Sequence, residues 1–260
     1  MRAAPAPVSS ARRRCWIRLA APALLAAAGL LPLAAQAERV SGSGRTATEQ
    51  RSLPPFQGVV LSGSMDLVVR QGSTQQVEVT VDDNLLPFLE TEVTGSGADA
   101  RLQVRWKRGT SIYSKTDARI HVTVPRLTSL AASGSGDMTV EPFETPSLSI
   151  SISGSSDTRL QKLTTAALQI SISGSGDVEG AGSATRLKIG IAGIAGSGDV
   201  KLREMKSDEV SVNIAGSGDA SVHADKALEV RIAGSGDVVY TGNAATVNAK
   251  VAGSGSVNKR

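Results

Sequence analysis

In the second half of the chain, apolar and polar residues alternate, and the alternation returns about every twenty positions. Leu148, Ile150 and Ile152 are followed by Leu168, Ile170 and Ile172, then by Leu187, Ile189 and Ile191. Val210, Val212 and Ile214 come next, then Leu228, Val230 and Ile232, then Val247, Ala249 and Val251. Period two over this length predicts a strand with one buried face. Shorter apolar runs follow, as at Met138 and Val140, Val200 and Leu202, Ala220 and Val222, and Val238 and Tyr240. Polar or small residues such as Thr164-Thr165-Ala166 and Lys206-Ser207-Asp208 then lead back.

A Gly-Ser-Gly-Asp corner separates the two runs of each repeat. It stands at Gly134–Asp137, Gly174–Asp177, Gly196–Asp199, Gly216–Asp219 and Gly234–Asp237, with variants at Gly154–Asp157 and Gly253–Ser256. The first glycines are spaced by 20, 20, 22, 20, 18 and 19 residues. The expected structural corners are Gly134, Gly136, Gly174, Gly176, Gly196, Gly198, Gly216, Gly218, Gly234 and Gly236, where glycine allows positive φ at little steric cost.

Such a unit cannot bury its apolar face alone. Stacked in parallel, near-identical repeats align like with like, and the apolar faces join into one core. The pattern predicts an all-β fold, a parallel β-helix or β-solenoid with coils of about twenty residues. The alternative is an antiparallel β-meander with the corners as hairpin turns. The long spacing has a local cause: Ile191-Ala192-Gly193 is followed at once by Ile194-Ala195-Gly196. Three extra residues are expected to bulge near Gly193–Ala195 without shifting a strand, since a slip of one would expose the whole apolar set.

Residues 38–125 are less regular. Val77/Val79/Val81, Leu102/Val104/Trp106 and Ile120/Val122/Val124 read as strands, Asn84–Leu89 as a turn or single helical turn, and Gly63-Ser64-Met65-Asp66 as a corner. The expected layout is a flexible polar lead over 38–52 and a single solenoid over 53–260. Irregular first coils over 53–125 then act as a cap, and regular repeats fill 126–260.

Two features resemble a known family: the pattern Phe56-Gln57-Gly58-Val59, Ser62-Gly63-Ser64-Met65-Asp66-Leu67, Val77-Glu78-Val79 and Asp83-Asn84-Leu85-Leu86, and the run of Gly-Ser-Gly corners. Together they are similar to the putative auto-transporter adhesin, head GIN domain family. The resemblance implies a right-handed β-helix and a role in adhesion. No translocator barrel is expected in the few residues after the last corner, so these residues lend no support to the auto-transporter half of the name.

The first 37 residues read as a secretory signal peptide: Arg12-Arg13-Arg14, an apolar stretch from Leu19 to Leu33, and Ala35-Gln36-Ala37 as the cleavage site. Removing them changes the charge. The chain's 28 basic residues fall to 23 without the five in this segment, against 24 acidic ones, so no electrostatic case for nucleic acid or anionic membrane survives. The only cysteine, Cys15, goes with the segment, which leaves no disulfide or thiol nucleophile. No second apolar stretch predicts a transmembrane segment. Export to the periplasm, the outer membrane or the exterior is expected.

Candidate chemistry is sparse. Stacking would line up Asp137, Asp157, Asp177, Asp199, Asp219 and Asp237 along one edge. Each is expected to accept backbone N–H groups of its own corner; a row of Ca²⁺ sites is the alternative. Calcium takes six to eight oxygens, and one carboxylate per coil is few. Ser147, Ser149, Ser151, Ser153, Ser171 and Ser173 form a polar outer face, with glycan binding as the functional alternative. His121 and His223 sit in no catalytic motif, and no cofactor is called for. Trp106 and Tyr113 bracket a loop over 107–111, read as hairpin-like or as a contact patch. The expected function is a non-catalytic, adhesin-like binding or scaffolding module for glycan, peptidoglycan or an envelope protein. A polysaccharide-active enzyme and a self-associating structural protein are the alternatives.

Overall fold

The structure is a computed structural model that describes residues 38–192 and 197–260. The signal-peptide reading and the bulge at Gly193–Ala195 lie outside the described residues. The described residues form one compact unit. Among the described residues, no helix is long and apolar enough to cross a membrane.

The first part holds β1 (Glu38–Ser41), β2 (Thr46–Gln50), β3 (Gly58–Gly63), β4 (Asp66–Gln71), β5 (Gln76–Asp82), β6 (Leu89–Thr94), β7 (Arg101–Trp106), β8 (Thr110–Tyr113) and β9 (Arg119–Val124). A 3-10 turn, Asp83–Phe88, joins β5 to β6 and contains Pro87. The repeats follow as β10 (Ser129–Gly134), β11 (Met138–Val140), β12 (Phe143–Gly154), β13 (Thr158–Ile172), β14 (Val178–Ala192) and β15 (Val200–Gly216). The last are β16 (Ala220–His223), β17 (Ala227–Gly234), β18 (Val238–Thr241), β19 (Thr246–Gly253) and β20 (Val257–Lys259).

From β10 onward every pairing is parallel, so the chain is a β-solenoid and not a meander. Ile150 pairs with Ile170, Ile170 with Ile189, Ile189 with Val212, Val212 with Val230 and Val230 with Ala249. This in-register column explains why sequence-similar coils select the parallel arrangement. Its members from Ile150 to Val230 are fully buried. Each such Ile, Leu or Val contributes ~1.5–3 kcal/mol by leaving water.

The three extra residues do not shift the strands. Ile172 pairs with Ile191 and Ile191 with Ile214 before the corner; Val178 pairs with Val200 and Val200 with Ala220 after it. The insertion is thus contained between Ile191 and Val200.

The order of coils in space departs from their order in sequence. β3 lies between β7 and β10, and β4 between β9 and β11. The chain makes its first coil over residues 58–71, then turns back to build the end of the solenoid, then crosses that coil to continue on its other side. At the end, β5 covers β9, β6 covers β7 and β2 covers β5, all antiparallel. Residues 38–52 are not a flexible lead. β1 pairs with β8 and β2 with β5, and their partners lie too far along the chain for local composition to announce them.

Asp82 anchors this cap. It is fully buried and accepts the N–H of Gly44 at 2.5 Å, the Ser114 hydroxyl at 2.7 Å and the N–H groups of Lys115 and Thr116 at 3.0 and 3.3 Å. Burial pushes its pKa up, but the Ser114 hydroxyl and the three backbone donors outweigh it and hold the carboxyl at about 2.

The corner glycines divide into two kinds. The first glycines at Gly134 and Gly154 have φ of 144° and 146°, a region that favours glycine. The second glycines at Gly176 and Gly218 do not have positive φ, contrary to the expectation. Glycine is needed there because a Cβ would run into the backbone of the coil below, at Ser156 and Gly198.

Candidate functional site

The corner aspartates form a ladder, but not the expected one. Each carboxylate accepts from the next coil and, among the described residues, not from its own corner. The Asp137 N–H donates to Asp66 Oδ1 at 3.1 Å, Asp157 to Asp137 at 3.4 Å, and Asp177 to Asp157 at 2.9 Å. The ladder continues from Asp199 to Asp177 at 2.8 Å, Asp219 to Asp199 at 3.0 Å and Asp237 to Asp219 at 2.7 Å. Ser256 ends it, donating both its N–H and its hydroxyl to Asp237 Oδ1 at 2.7 and 2.8 Å. An Asp side chain is short enough to stay in the corner and long enough to reach one coil along the stack.

Beside this ladder runs a second row of charged groups. Arg159 pairs with Glu179, and Lys201 with Asp177 at 3.0 Å. With Asp137 and Asp157 these side chains border a cleft of about 290 Å³. The hydrogen bond from Lys201 to Asp177 raises the Lys201 pKa. Over these three coils positive and negative charges alternate, and Lys201 offsets repulsion at Asp177. Among the described residues, no three His, Cys, Asp or Glu side chains converge well enough to hold a metal ion. The aspartates stand one per coil with one oxygen already engaged.

The outer face of the long sheet is the largest regular surface. Ser149, Ser151 and Ser153 point outward from β12, Gln169 and Ser171 stand next to the first two on β13, and Ser173 follows just past the end of β13. The character changes toward the C-terminal coils. Lys188 replaces Gln169 in its column, Arg231 and Lys250 follow Asn213 in the next, and Ala215, Ala233 and Ala252 form a column beyond it. Two shallow grooves of about 410 and 490 Å³ cross this half. The first has an Ala and Gly floor with Asn213, Arg231 and Lys250 beside it. Adjacent residues in a column are ~4.8 Å apart. The face therefore offers a periodic set of donors and cations on a rigid backbone.

Other candidates separate. Trp106 packs against the core while Tyr113 is 71% exposed, so the two aromatics do not share a contact patch. Nor is the loop between them a hairpin: β8 leaves β7 and pairs with β1. His121 lines a polar hollow of about 450 Å³ with Lys115, Asp117, Arg119 and three threonines. His223 lies between Thr241 Oγ1 at 2.9 Å and Asp225 Oδ1 at 3.0 Å. This hydroxyl–imidazole–carboxylate chain is visible only once β16 and β18 are paired, because Thr241 is a full coil away in sequence.

Comparison with known proteins agrees with this architecture. The family model described as putative auto-transporter adhesin, head GIN domain, matches residues 55–244. A solved structure of a putative adhesin from Bacteroides fragilis has a TM-score of 0.76 at 19% identity, covering 85% of this chain and 100% of its own. A putative lipid binding protein from Parabacteroides distasonis has a TM-score of 0.67 at 26% identity, and a putative adhesin from Parabacteroides merdae 0.65 at 26%; each match covers 86% of this chain and 100% of the other. Among curated proteins, none matches the chain in sequence.

Proposed function

Because the chain belongs to the putative auto-transporter adhesin, head GIN domain family, we propose that it is an exported, non-catalytic binding module of the cell envelope. Its ligand is a glycan or peptidoglycan strand held on the outer sheet face. The observation that carries this reading is the in-register face itself, serine-rich in its first coils and bearing Lys188, Arg231 and Lys250 in its last. Sugar polymers offer hydroxyls at regular intervals, and peptidoglycan adds carboxylates for the cations. Open grooves suit a long polymer lying across several coils, whereas small molecules take deeper pockets. The same aliphatic floor and cations fit an anionic amphiphile as a second ligand class. One structural relative carries a lipid-binding name. In this chain the solenoid interior is filled by its own side chains, so any acyl chain would lie on the surface.

Residues 38–260 should bind peptidoglycan or an arrayed glycan saturably and without turnover. Lys188→Glu combined with Arg231→Glu should weaken that binding tenfold or more, while Lys162→Glu, away from this face, should not. Tighter binding to anionic vesicles than to any glycan would replace the glycan reading with the amphiphile. Release of soluble fragments, abolished by His223→Ala, would replace binding with hydrolysis.

A further inference from the structure

Inner coils have a neighbour on each side, but the last coil does not. Among the described residues, β19 pairs with β17 alone and β20 with β18 alone. All eight residues of β19 are exposed. Val247 and Val251 are 40% and 43% exposed, while Leu228 and Ile232, one coil earlier in the same columns, are 1% and 2% exposed. The apolar columns therefore end in open surface. Beside it, among the described residues, a row of backbone donors and acceptors has no strand to pair with. Such an edge recruits a strand.

The other end of the solenoid does not offer a matching one. Its edge strands β2 and β6 are short and antiparallel to the coils they cover, and their carboxylates are engaged. Glu49 pairs with Arg51, and Glu90 and Glu92 with Arg105. A head-to-tail stack, which would grow without closing, has no in-register acceptor there.

β19 is instead complementary to itself. Set antiparallel to a second β19 about Ala249, it places Val247 opposite Val251, Asn248 opposite Lys250 and Thr246 opposite Ala252. Inward residues then meet inward residues, and the two lysines do not face each other. Lys259 and Arg260 put charge on and just beyond β20, as strands do that avoid pairing, which leaves β19 as the joining strand.

We propose that the last coil docks on the last coil of a second copy, β19 against β19, giving a closed twofold dimer with one core running through both. This goes beyond the binding function and does not depend on it. On the twofold axis the two Ala249 Cα atoms would stand ~4.5–5.5 Å apart, within the ~4.4–6.8 Å that a disulfide spans. Residues 38–260 contain no cysteine, so Ala249→Cys introduces a single thiol.

The test is the mass of residues 38–260 by sedimentation equilibrium, together with mild oxidation of Ala249→Cys. The expected results are twice the monomer mass at micromolar concentration and nearly complete covalent dimer. Ser254→Cys, on the same coil but off the axis, should stay largely uncrosslinked. Val251→Lys should weaken the dimer at least tenfold while keeping the circular dichroism spectrum and a cooperative melt. A monomeric mass, an open-ended series of oligomers, equal crosslinking through Ser254→Cys, or a dimer unaffected by Val251→Lys would each overturn the proposal.

Discussion

If the corner aspartates serve as acceptors, replacing one with Asn and with Ala should give different results. Asp219 is suited to the comparison. Its N–H donates to Asp199 Oδ1 at 3.0 Å, and its own Oδ1 accepts the Asp237 N–H at 2.7 Å. Both replacements remove its charge. Both therefore relieve the same repulsion from Asp199 and Asp237, ~1 kcal/mol per neighbour at ~4.8 Å in a water-like medium. Only Asn keeps an oxygen where the Asp237 N–H needs one. The difference between the variants isolates one neutral hydrogen bond, ~1 kcal/mol, or ~2–4 °C in Tm for a domain of this size. Asp219→Asn should therefore melt that much above Asp219→Ala and close to the parent. The assay is thermal unfolding followed by circular dichroism, with and without millimolar Ca²⁺. An Ala variant as stable as the Asn variant would refute the ladder as a stabilising device. A calcium-induced rise in the parent's Tm that is lost in Asp219→Asn would show that the edge binds metal.

Three further outcomes follow from the packing. Gly218→Ala should destabilise by ~1–3 kcal/mol, and Gly218→Val by more, since the new Cβ meets the Gly198 carbonyl and crowds Ile191; an unchanged denaturation midpoint would contradict the close approach. Thr158 Oγ1 is buried without a partner, in a column with Met138 and Val178. Thr158→Val keeps the shape and should raise stability by ~1–2 kcal/mol, and a lower Tm would show that the hydroxyl is satisfied after all. The folded-state pKa of Asp82 is lowered to about 2 from an ordinary 3.8. Its contribution should be complete above pH 4 and be lost as pH falls toward 2, ~2 kcal/mol in all. The stability gap between the parent and Asp82→Asn should narrow over that interval, and a gap independent of pH would argue against the ionised anchor.

The regular coils were legible in the sequence because their information is local. Ile150, Ile170, Ile189, Val212 and Val230 each sit in an alternating run that declares its buried face, and repeat length puts them in one column. The apolar strands of the cap, β5, β7 and β9, are legible in the same way, but its outer strands β1 and β2 are not, for the opposite reason. β1 and β2 are polar strands, and their partners lie dozens of residues away. The placement of β3 between β7 and β10 joins segments 71 residues apart in one direction, which no periodicity records. The aspartate row was visible as a row, but its hydrogen bonds run between coils, so the Asp137 acceptor could not be found by looking within Gly134–Asp137. The sequence marks the second glycines as necessary but not why. φ is a property of one residue, whereas their requirement comes from the coil beneath. Trp106 and Tyr113 looked like a pair because they are close in sequence, and the departure of β8 toward β1 separates them.

The placement of the folded-back cap at one end leaves the middle of the solenoid modular in length. Around β13 the coils meet others with the same columns, and the corner aspartate accepts from the next coil on either side. A segment such as 155–174 could be duplicated or deleted as a unit, and both ends would find unchanged neighbours. The distance from cap to last strand would then change in steps of one inter-strand spacing, ~4.8 Å per coil. The fold is in this sense a ruler, with reach adjustable in whole coils while the end structures stay constant.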